Sequence, residues 1–274
     1  MPPIKIFIDS ALRKSGTDAN FVYELPRPVG VDKDYKVMVD QVHVPHTFTT
    51  IHASNRALYF QEKVGATTRQ HRIELTPAQY DGASLAAHVR ARLTAATTLA
   101  LTWTVTFDAD QGKLAFSVTG GTAVLYAMNY LQSNPGVFTE FNGHPVGDHD
   151  DAGPVIGATG QFVLAVGSTP VLGKHISVIP YHTLYLHCDQ GLGAGGDDVV
   201  GTRGNATVLR SVPVSTSYGQ MLHDNSLNPF DHTLVPKGQL GTFKFRLADR
   251  FGHDVTLDQS FCFSLLFIPV DEFE

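Results

Sequence analysis

Gly238-Gln239-Leu240-Gly241-Thr242-Phe243-Lys244-Phe245-Arg246-Leu247-Ala248-Asp249-Arg250-Phe251-Gly252-His253-Asp254-Val255, followed shortly by Phe261-Cys262-Phe263-Ser264-Leu265-Leu266-Phe267-Ile268, is the stretch whose reading decides the fold. Phe243, Phe245 and Leu247 alternate with Thr242, Lys244 and Arg246, the two-residue period of a strand buried on one face. Asp249 to Gly252 supplies a turn. The chain is then nearly continuously apolar from Phe261 to Ile268, as expected of a strand covered on both faces by a neighbouring layer or a partner subunit. An amphipathic strand, a glycine-containing turn and an apolar closing strand predict a terminal strand pair at the end of an antiparallel sandwich.

Working outward from that end, the remaining chain reads mostly as strands. Residues 4–10 form a short strand, Ser15 to Asp18 a turn, and Phe21-Val22-Tyr23-Glu24-Leu25 a second extended segment closed by Pro26 and Pro28. In 35–48, Val37, Val39, Gln41 and His43 share one face while Met38, Asp40, Val42 and Val44 share the other, so both faces are expected to meet protein. Residues 58–62 and 71–75 flank Gly65 as a hairpin. The character then changes. Thr76-Pro77-Ala78-Gln79 reads as a capped helix start, and Leu85, Val89 and Leu93 recur every four residues, predicting a helix over 77–95. A second hairpin follows, 101–107 with 113–118, through a loop ending in Gly112. Residues 122–131 read as a short helix and 141–154 as a surface loop. Strands return at 162–166, 175–188 and 206–214, and 221–234 reads as an excursion. The sum is a mainly β chain, a β-sandwich carrying an α/β excursion in its middle.

Composition narrows the function classes. A chain of 274 residues holds one large all-β domain or two small ones. With only 17% charged residues, the surface suits a subunit buried in an assembly, or else a neutral monomer with polar loops. The net charge of -6, with no basic run longer than Arg13-Lys14, offers no counterion-releasing face and argues against direct nucleic-acid contact. No apolar stretch reaches membrane-spanning length, and Met1-Pro2-Pro3-Ile4-Lys5 lacks the apolar core of a signal peptide, so a soluble chain is expected. Cys188 and Cys262 each lie inside an apolar strand, where buried free thiols are expected, with a disulfide between them left open.

The candidate chemistry is thin. Gly191-Leu192-Gly193-Ala194-Gly195-Gly196 matches a dinucleotide fingerprint in form, but Asp197-Asp198-Val199-Val200-Gly201 follows it where an anion would need a helix start, so a loop is expected. His144, Asp148, His149, Asp150 and Asp151 are metal-ligand types without a recognised spacing, which favours a solvated acidic loop. On strands, His43 with His46 and His182 with His187 read as satisfied histidines, since alternation turns His46 away from the face of His43. No Gly-x-Ser-x-Gly occurs, and Cys188 and Cys262 lack a positive neighbour to form a thiolate. The adjacent acids Asp150-Asp151 and Asp197-Asp198 read as solvated. The expectation is therefore no enzyme, with no catalytic, cofactor-binding or metal-binding residue.

A resemblance adds to this reading. Phe7-Ile8-Asp9-Ser10, then Asn20-Phe21-Val22-Tyr23-Glu24-Leu25, then the segment from Val37 to Phe48 resemble the start of jelly-roll penton (vertex) and minor capsid proteins of virophages, polinton-like viruses and related double-stranded DNA viruses. The segment Ala78-Gln79-Tyr80-Asp81-Gly82-Ala83-Ser84-Leu85, leading through a helix into Trp103 to Val118, is similar to a helix-and-hairpin module of such virion proteins. The segment from Phe245 to Leu257 resembles their closing strands. The resemblance implies an antiparallel jelly-roll β-sandwich, one domain over 1–274 with a helix-hairpin module inserted at about 76–135. It also implies a structural virion protein located in the capsid, a homopentamer at the vertex that contacts the major capsid protein and other virion proteins. The acidic balance departs from capsid proteins that grip a packaged genome through basic arms, so contact with other capsid proteins is expected and contact with DNA is not. Two other classes stay open. One is a spike or fibre head binding a host receptor or glycan through Tyr130, Tyr181 or Tyr218; the other is a metal enzyme on a cupin-like barrel.

Overall fold

The computed structural model describes residues 3–53, 55–127, 140–141, 144–145, 151–179, 181–192, 207–226, 232–250 and 252–270. Two compact units emerge from its internal contacts: Met1–Phe48 with Tyr181–Glu274, and Thr49–Pro180 between them in sequence. Strands are numbered in chain order.

The first unit holds two antiparallel sheets. One runs β1 (Ile4–Asp9), β19 (Cys262–Pro269), β4 (Tyr35–Pro45), β16 (Met221–Asp224), with β17 (Thr233–Val235) paired to the other end of β4. The second runs β15 (Thr207–Pro213), β14 (Thr183–Gln190), β18 (Gly238–Ala248), β3 (Asn20–Val31), β2 (Ser15–Gly16). The chain repeatedly crosses from one sheet to the other: β1 to β3, β3 to β4, β15 to β16, β18 to β19. Two sheets of four principal strands exchanged in this way form a jelly roll. Alternation along each strand turns one set of side chains inward. Phe243, Phe245 and Leu247 of β18 join Phe263, Leu265 and Phe267 of β19 in a single buried cluster. Across the sandwich the Phe245 and Phe263 rings meet edge-on, with centroids 4.9 Å apart.

Four expectations from the sequence are corrected or refined. The terminal amphipathic and apolar strands are not partners: β18 pairs with β14 and β3, while β19 pairs with β1 and β4. Periodicity reports which face is buried but not which strand lies alongside, and the 249–261 connection is long enough to change sheets. In β4 the mixed alternation has a mechanical cause. A register shift places Ser264 opposite Gln41 and Leu265 opposite Val39. The extra residue, Asp40, reverses the phase, so Val37, Val39, Val42 and Val44 all reach the core. The segment expected as one strand over 175–188 is divided, with β14 beginning only at Thr183, and the 221–234 excursion contains the edge strands β16 and β17.

The second unit, Thr49–Pro180, is wider in sequence than the module expected at about 76–135. One sheet runs β12 (Gln161–Leu164), β9 (Thr122–Tyr126), β5 (Ala57–Val64), β6 (Thr67–Glu74); another runs β13 (Val171–His175), β8 (Lys113–Thr119), β7 (Thr102–Asp108). A two-residue pair, β10 (Glu140–Phe141) with β11 (His144–Pro145), stands apart. Helix α1 (Gly82–Ala96) buries Leu85, Val89 and Leu93, which share a core with Phe60, Trp103 and Phe116. The helix begins five residues later than expected. Asp81 is its N-cap, its carboxylate accepting from Ser84 N at 2.7 Å while Ser84 Oγ accepts from Asp81 N. Thr76 and Pro77 lie before it because Ala78 forms a bridge to Ile51 and the Gln79 side chain accepts from Thr50 N. Residues 122–126, expected as helix, are strand β9, with Ala123 and Leu125 buried and Val124 less so; residues 128–131 lie outside the described residues.

One glycine in this unit is fixed by a close backbone approach. Gly157 follows the short helical turn Gly153–Ile156 at φ 75°, and an added Cβ would stand 2.2 Å from Lys174 O. Gly160 has φ 86° but open space around it. Gly160→Ala is therefore expected to cost about 1–2 kcal/mol of stability from left-handed strain alone. Gly157→Ala adds a clash with backbone and is expected to cost about 3 kcal/mol or more. Thermal unfolding of the two variants side by side measures the difference.

Candidate functional site

The outward face of the β1-β19-β4-β16 sheet carries the chemically distinctive side chains of the first unit. Because Ile8, Phe263, Val42 and Leu222 point into the core, their neighbours along each strand point out. Register then lines up Asp9 opposite Cys262, Cys262 opposite His43, and His43 opposite His223. The four form a transverse row on one face, one residue from each strand. At its end His43 Nδ1 and His223 Nδ1 are 2.6 Å apart, with the rings nearly perpendicular at 85°. At that separation one ring presents N–H and the other a lone pair, so the pair holds at most three of its four possible ring protons. Burial, then the neighbouring His223, push the His43 pKa below its ordinary value. Burial and the nearby Asp9 push the Cys262 thiol upward. Elsewhere on this face Phe7, Met221 and Leu234 are exposed apolar groups.

The candidates named from sequence are dispersed. Gly191 has φ 109°, and a Cβ there would meet Thr242 O at 2.5 Å, so this glycine serves a close approach to β18. The rest of the fingerprint, Gly193 to Gly196, lies outside the described residues, as do Asp197 and Asp198. Of the acidic loop, Asp148, His149 and Asp150 lie outside them too, and only the backbone of His144 is described. Asp151 accepts from Gly153 N at 2.7 Å and forms a bridge to Ala57, a turn-forming role. Among the described residues, no three His, Cys, Asp or Glu side chains are placed to hold a metal ion.

Both cysteines are free thiols. Cys188 is buried, its thiol contacting Gln190 O at 3.1 Å, and burial pushes its pKa up to about 12, which withholds the thiolate. His46 is satisfied as expected, with Nδ1 2.8 Å from Thr216 O and its ring stacked on Phe48. His182 is exposed. His187 departs from the expectation: it is 1% exposed, and neither ring nitrogen has a hydrogen-bond partner. Of the three tyrosines offered for a receptor groove, Tyr181 is buried, Tyr218 is exposed, and Tyr130 lies outside the described residues.

In the second unit the chemically loaded group is Glu62, fully buried on β5. Its Oε1 accepts from Thr98 N at 2.8 Å, Thr98 Oγ1 at 2.6 Å and Leu99 N at 3.1 Å, and lies 2.8 Å from His71 Nε2. Burial works to raise its pKa, but the Thr98 and His71 contacts outweigh it and hold the carboxyl below its usual range. This carboxylate ties the chain leaving α1 to the sheet. A carboxylate closely following the apolar run Ala57-Leu58-Tyr59-Phe60 is the sequence signal for it.

No protein-family model matches the chain, and no curated protein matches its sequence. Among solved structures, two alignments run over nearly the whole chain. The mavirus penton protein aligns over 98% of this chain and 99% of its own, with TM-score 0.52 and 11% identity. A chain in the cryo-EM structure of the Sputnik virophage aligns over 98% and 99%, with TM-score 0.46 and 12% identity. The likeness to the mavirus protein shows a common fold that includes the inserted unit.

Proposed function

We propose that the chain is a structural virion protein, a jelly-roll capsid subunit that forms the pentameric vertex capsomer and contacts the major capsid protein and other virion proteins. The observation that carries this reading is the end-to-end match of the fold to a penton protein, jelly roll and insertion together. It extends over 98% of this chain and 99% of that one. The exposed Phe7, Met221 and Leu234 are surface that assembly would gain by burying. The acidic net charge favours protein neighbours over packaged nucleic acid.

Light scattering on the purified chain tests the proposal. A homopentamer has a mass of about 149 kDa, five times the 29.7 kDa chain. That mass is the expected result. A trimer would favour a spike or fibre head instead, and a chain that stays monomeric at every concentration would overturn the vertex reading.

A further inference from the structure

We propose that two copies of the chain pair through the open edge of β1, antiparallel and centred on Phe7, so that one sheet of each jelly roll runs on into the other. β1 is an edge of its sheet, and among the described residues β19 is the one strand paired with it. Ser10 N donates to Phe261 O at 2.9 Å, one step beyond the register that sets Asp9 opposite Cys262. In an antiparallel ladder alternate residues turn N–H and C=O to the same side, so Ile4, Ile6 and Ile8 face β19, while Lys5, Phe7 and Asp9 present theirs at the open edge. The same three residues carry their side chains on the outward face, since Ile6 and Ile8 point into the core. Phe7 is 64% exposed there.

The order of charges along this edge names its occupant. Set antiparallel to itself about Phe7, the strand places Phe7 against Phe7, and Lys5 of each copy opposite Asp9 of the other. That register also brings every edge-facing residue opposite another, so the three pairs each exchange two backbone hydrogen bonds. Opposite charges and paired aromatic rings are cross-strand neighbours that stabilise a sheet. A parallel alignment would oppose like charges, and an antiparallel one shifted by two residues would set Phe7 against a charge. The ladder has natural limits, since Pro3 carries no N–H at one end and the tight turn Ser10–Leu12 bends the chain at the other. A lysine on an edge strand ordinarily repels a further strand. Lys5 is instead held on its own sheet, paired with Asp40 and with Nζ 5.1 Å from the centre of the Phe7 ring. Asp9 gives Oδ1 to Ala11 N at 2.8 Å, and its other oxygen can take Lys5 of the second copy. The contact is self-complementary and two-fold, whereas a five-fold ring is head-to-tail and uses two different surfaces. It therefore goes beyond the vertex reading: it pairs free chains or whole rings and does not build the ring.

The test is cross-linking of the full chain, in a Cys262→Ser background, under mild oxidation. Phe7→Cys changes an exposed side chain, and the two copies of position 7 should stand about 5.5 Å apart between Cα atoms, within disulfide reach, so a covalent dimer should form in high yield. Lys5→Cys alone and Asp9→Cys alone should not cross-link, because each faces the other's position; a mixture of the two should. Phe7→Lys sets like charges against each other and should halve the mass seen by light scattering. The fall is from about 59 kDa to the 29.7 kDa chain, or, for paired rings, from about 297 kDa to about 149 kDa. Circular dichroism checks that each variant is folded. No cross-link at position 7, one at position 5 alone that is just as strong, or a mass that Phe7→Lys leaves unchanged would each overturn the pairing. A lone pentamer would overturn it too and leave the vertex reading standing, whereas a two-chain dimer that never reaches ten copies would support the pairing and count against the vertex.

Discussion

Arg210→Ala is expected to destabilise the jelly-roll unit by about 3–5 kcal/mol, the usual consequence of removing one partner from a buried ion pair. Arg210 is 7% exposed on β15, an edge of one sheet, and reaches Asp224 on β16, an edge of the other. Its Nε and Nη2 donate to the two carboxylate oxygens at 2.7 and 3.0 Å, a bidentate fork that also engages Ser226. The pair thus closes one side of the sandwich where no backbone ladder joins the sheets. Burial alone would raise the Asp224 pKa; the guanidinium and the Ser226 hydroxyl and amide outweigh it and hold the carboxyl at about 2. Because that value lies below the unfolded one, the contribution is present above about pH 4 and is lost as the pH falls through about 2. In Arg210→Ala the carboxylate is stranded, and on mild acidification, as it takes up a proton, the variant should lose less stability than the wild type, so the gap between them narrows. Urea unfolding of both chains at pH 7 and pH 4.5 measures the gap and its narrowing. Arg210→Met with Asp224→Leu should recover most of the loss, since a packed apolar pair needs no mutual neutralisation. A loss below about 1 kcal/mol in the single variant would show that the fork is no brace.

The sandwich was legible because burial leaves a two-residue rhythm. Phe243-Lys244-Phe245-Arg246-Leu247 has it, and all three apolar residues are in the core. Partner choice was not legible, for a reason that applies to any crossed β fold: β18 and β19 are consecutive long strands yet never touch edge to edge, since the alternation of each is satisfied equally well in either sheet. The bulge at Asp40 is a second limit. Its one-residue phase change made β4 look two-faced, when Val37 and Val44 in fact share a core. For α1, two capping sequences lay five residues apart, and the one that wins, Asp81 with Ser84, does so because the earlier segment has a better use in pairing with Ile51.

The candidate site shows a sharper limit. Local spacing drew attention to glycine and acidic clusters, whereas the polar row on the outward sheet face joins positions 9, 43, 223 and 262, brought together by register alone. His43 was weighed against His46 because they are close in sequence; its real neighbour is His223. Nor does a strand pattern tell a satisfied histidine from an orphaned one. His46 found a carbonyl, while His187, on the outward side of β14, found cover without a partner.

That orphan gives the chain a built-in sensitivity to acid. His187 stands opposite Arg246 of β18 and Val208 of β15. The acids around it are already engaged, Asp189 at 3.4 Å and Asp254 at 3.5 Å from the Arg246 guanidinium, and Asp254 also accepts from Asn20. A proton on His187 therefore places a second buried cation beside an arginine whose counter-charges are taken. Burial, then Arg246, lower its pKa to about 4, against the partial opposition of Asp189 and Asp254. The folded value lies below the ordinary 6.5, so the neutral ring's contribution is whole above about pH 6.5 and is lost as the pH falls through about 4. At about 1.4 kcal/mol per unit the loss is about 3 kcal/mol. His187→Leu should leave stability at pH 7.5 unchanged or higher, because it removes two unsatisfied nitrogens in favour of apolar contact. Between pH 6.5 and 4 the wild type should lose stability faster than the variant by one proton's worth of slope. Urea unfolding of both chains across that range measures the difference directly, and parallel curves would mean that His187 keeps its proton equilibrium unchanged on folding.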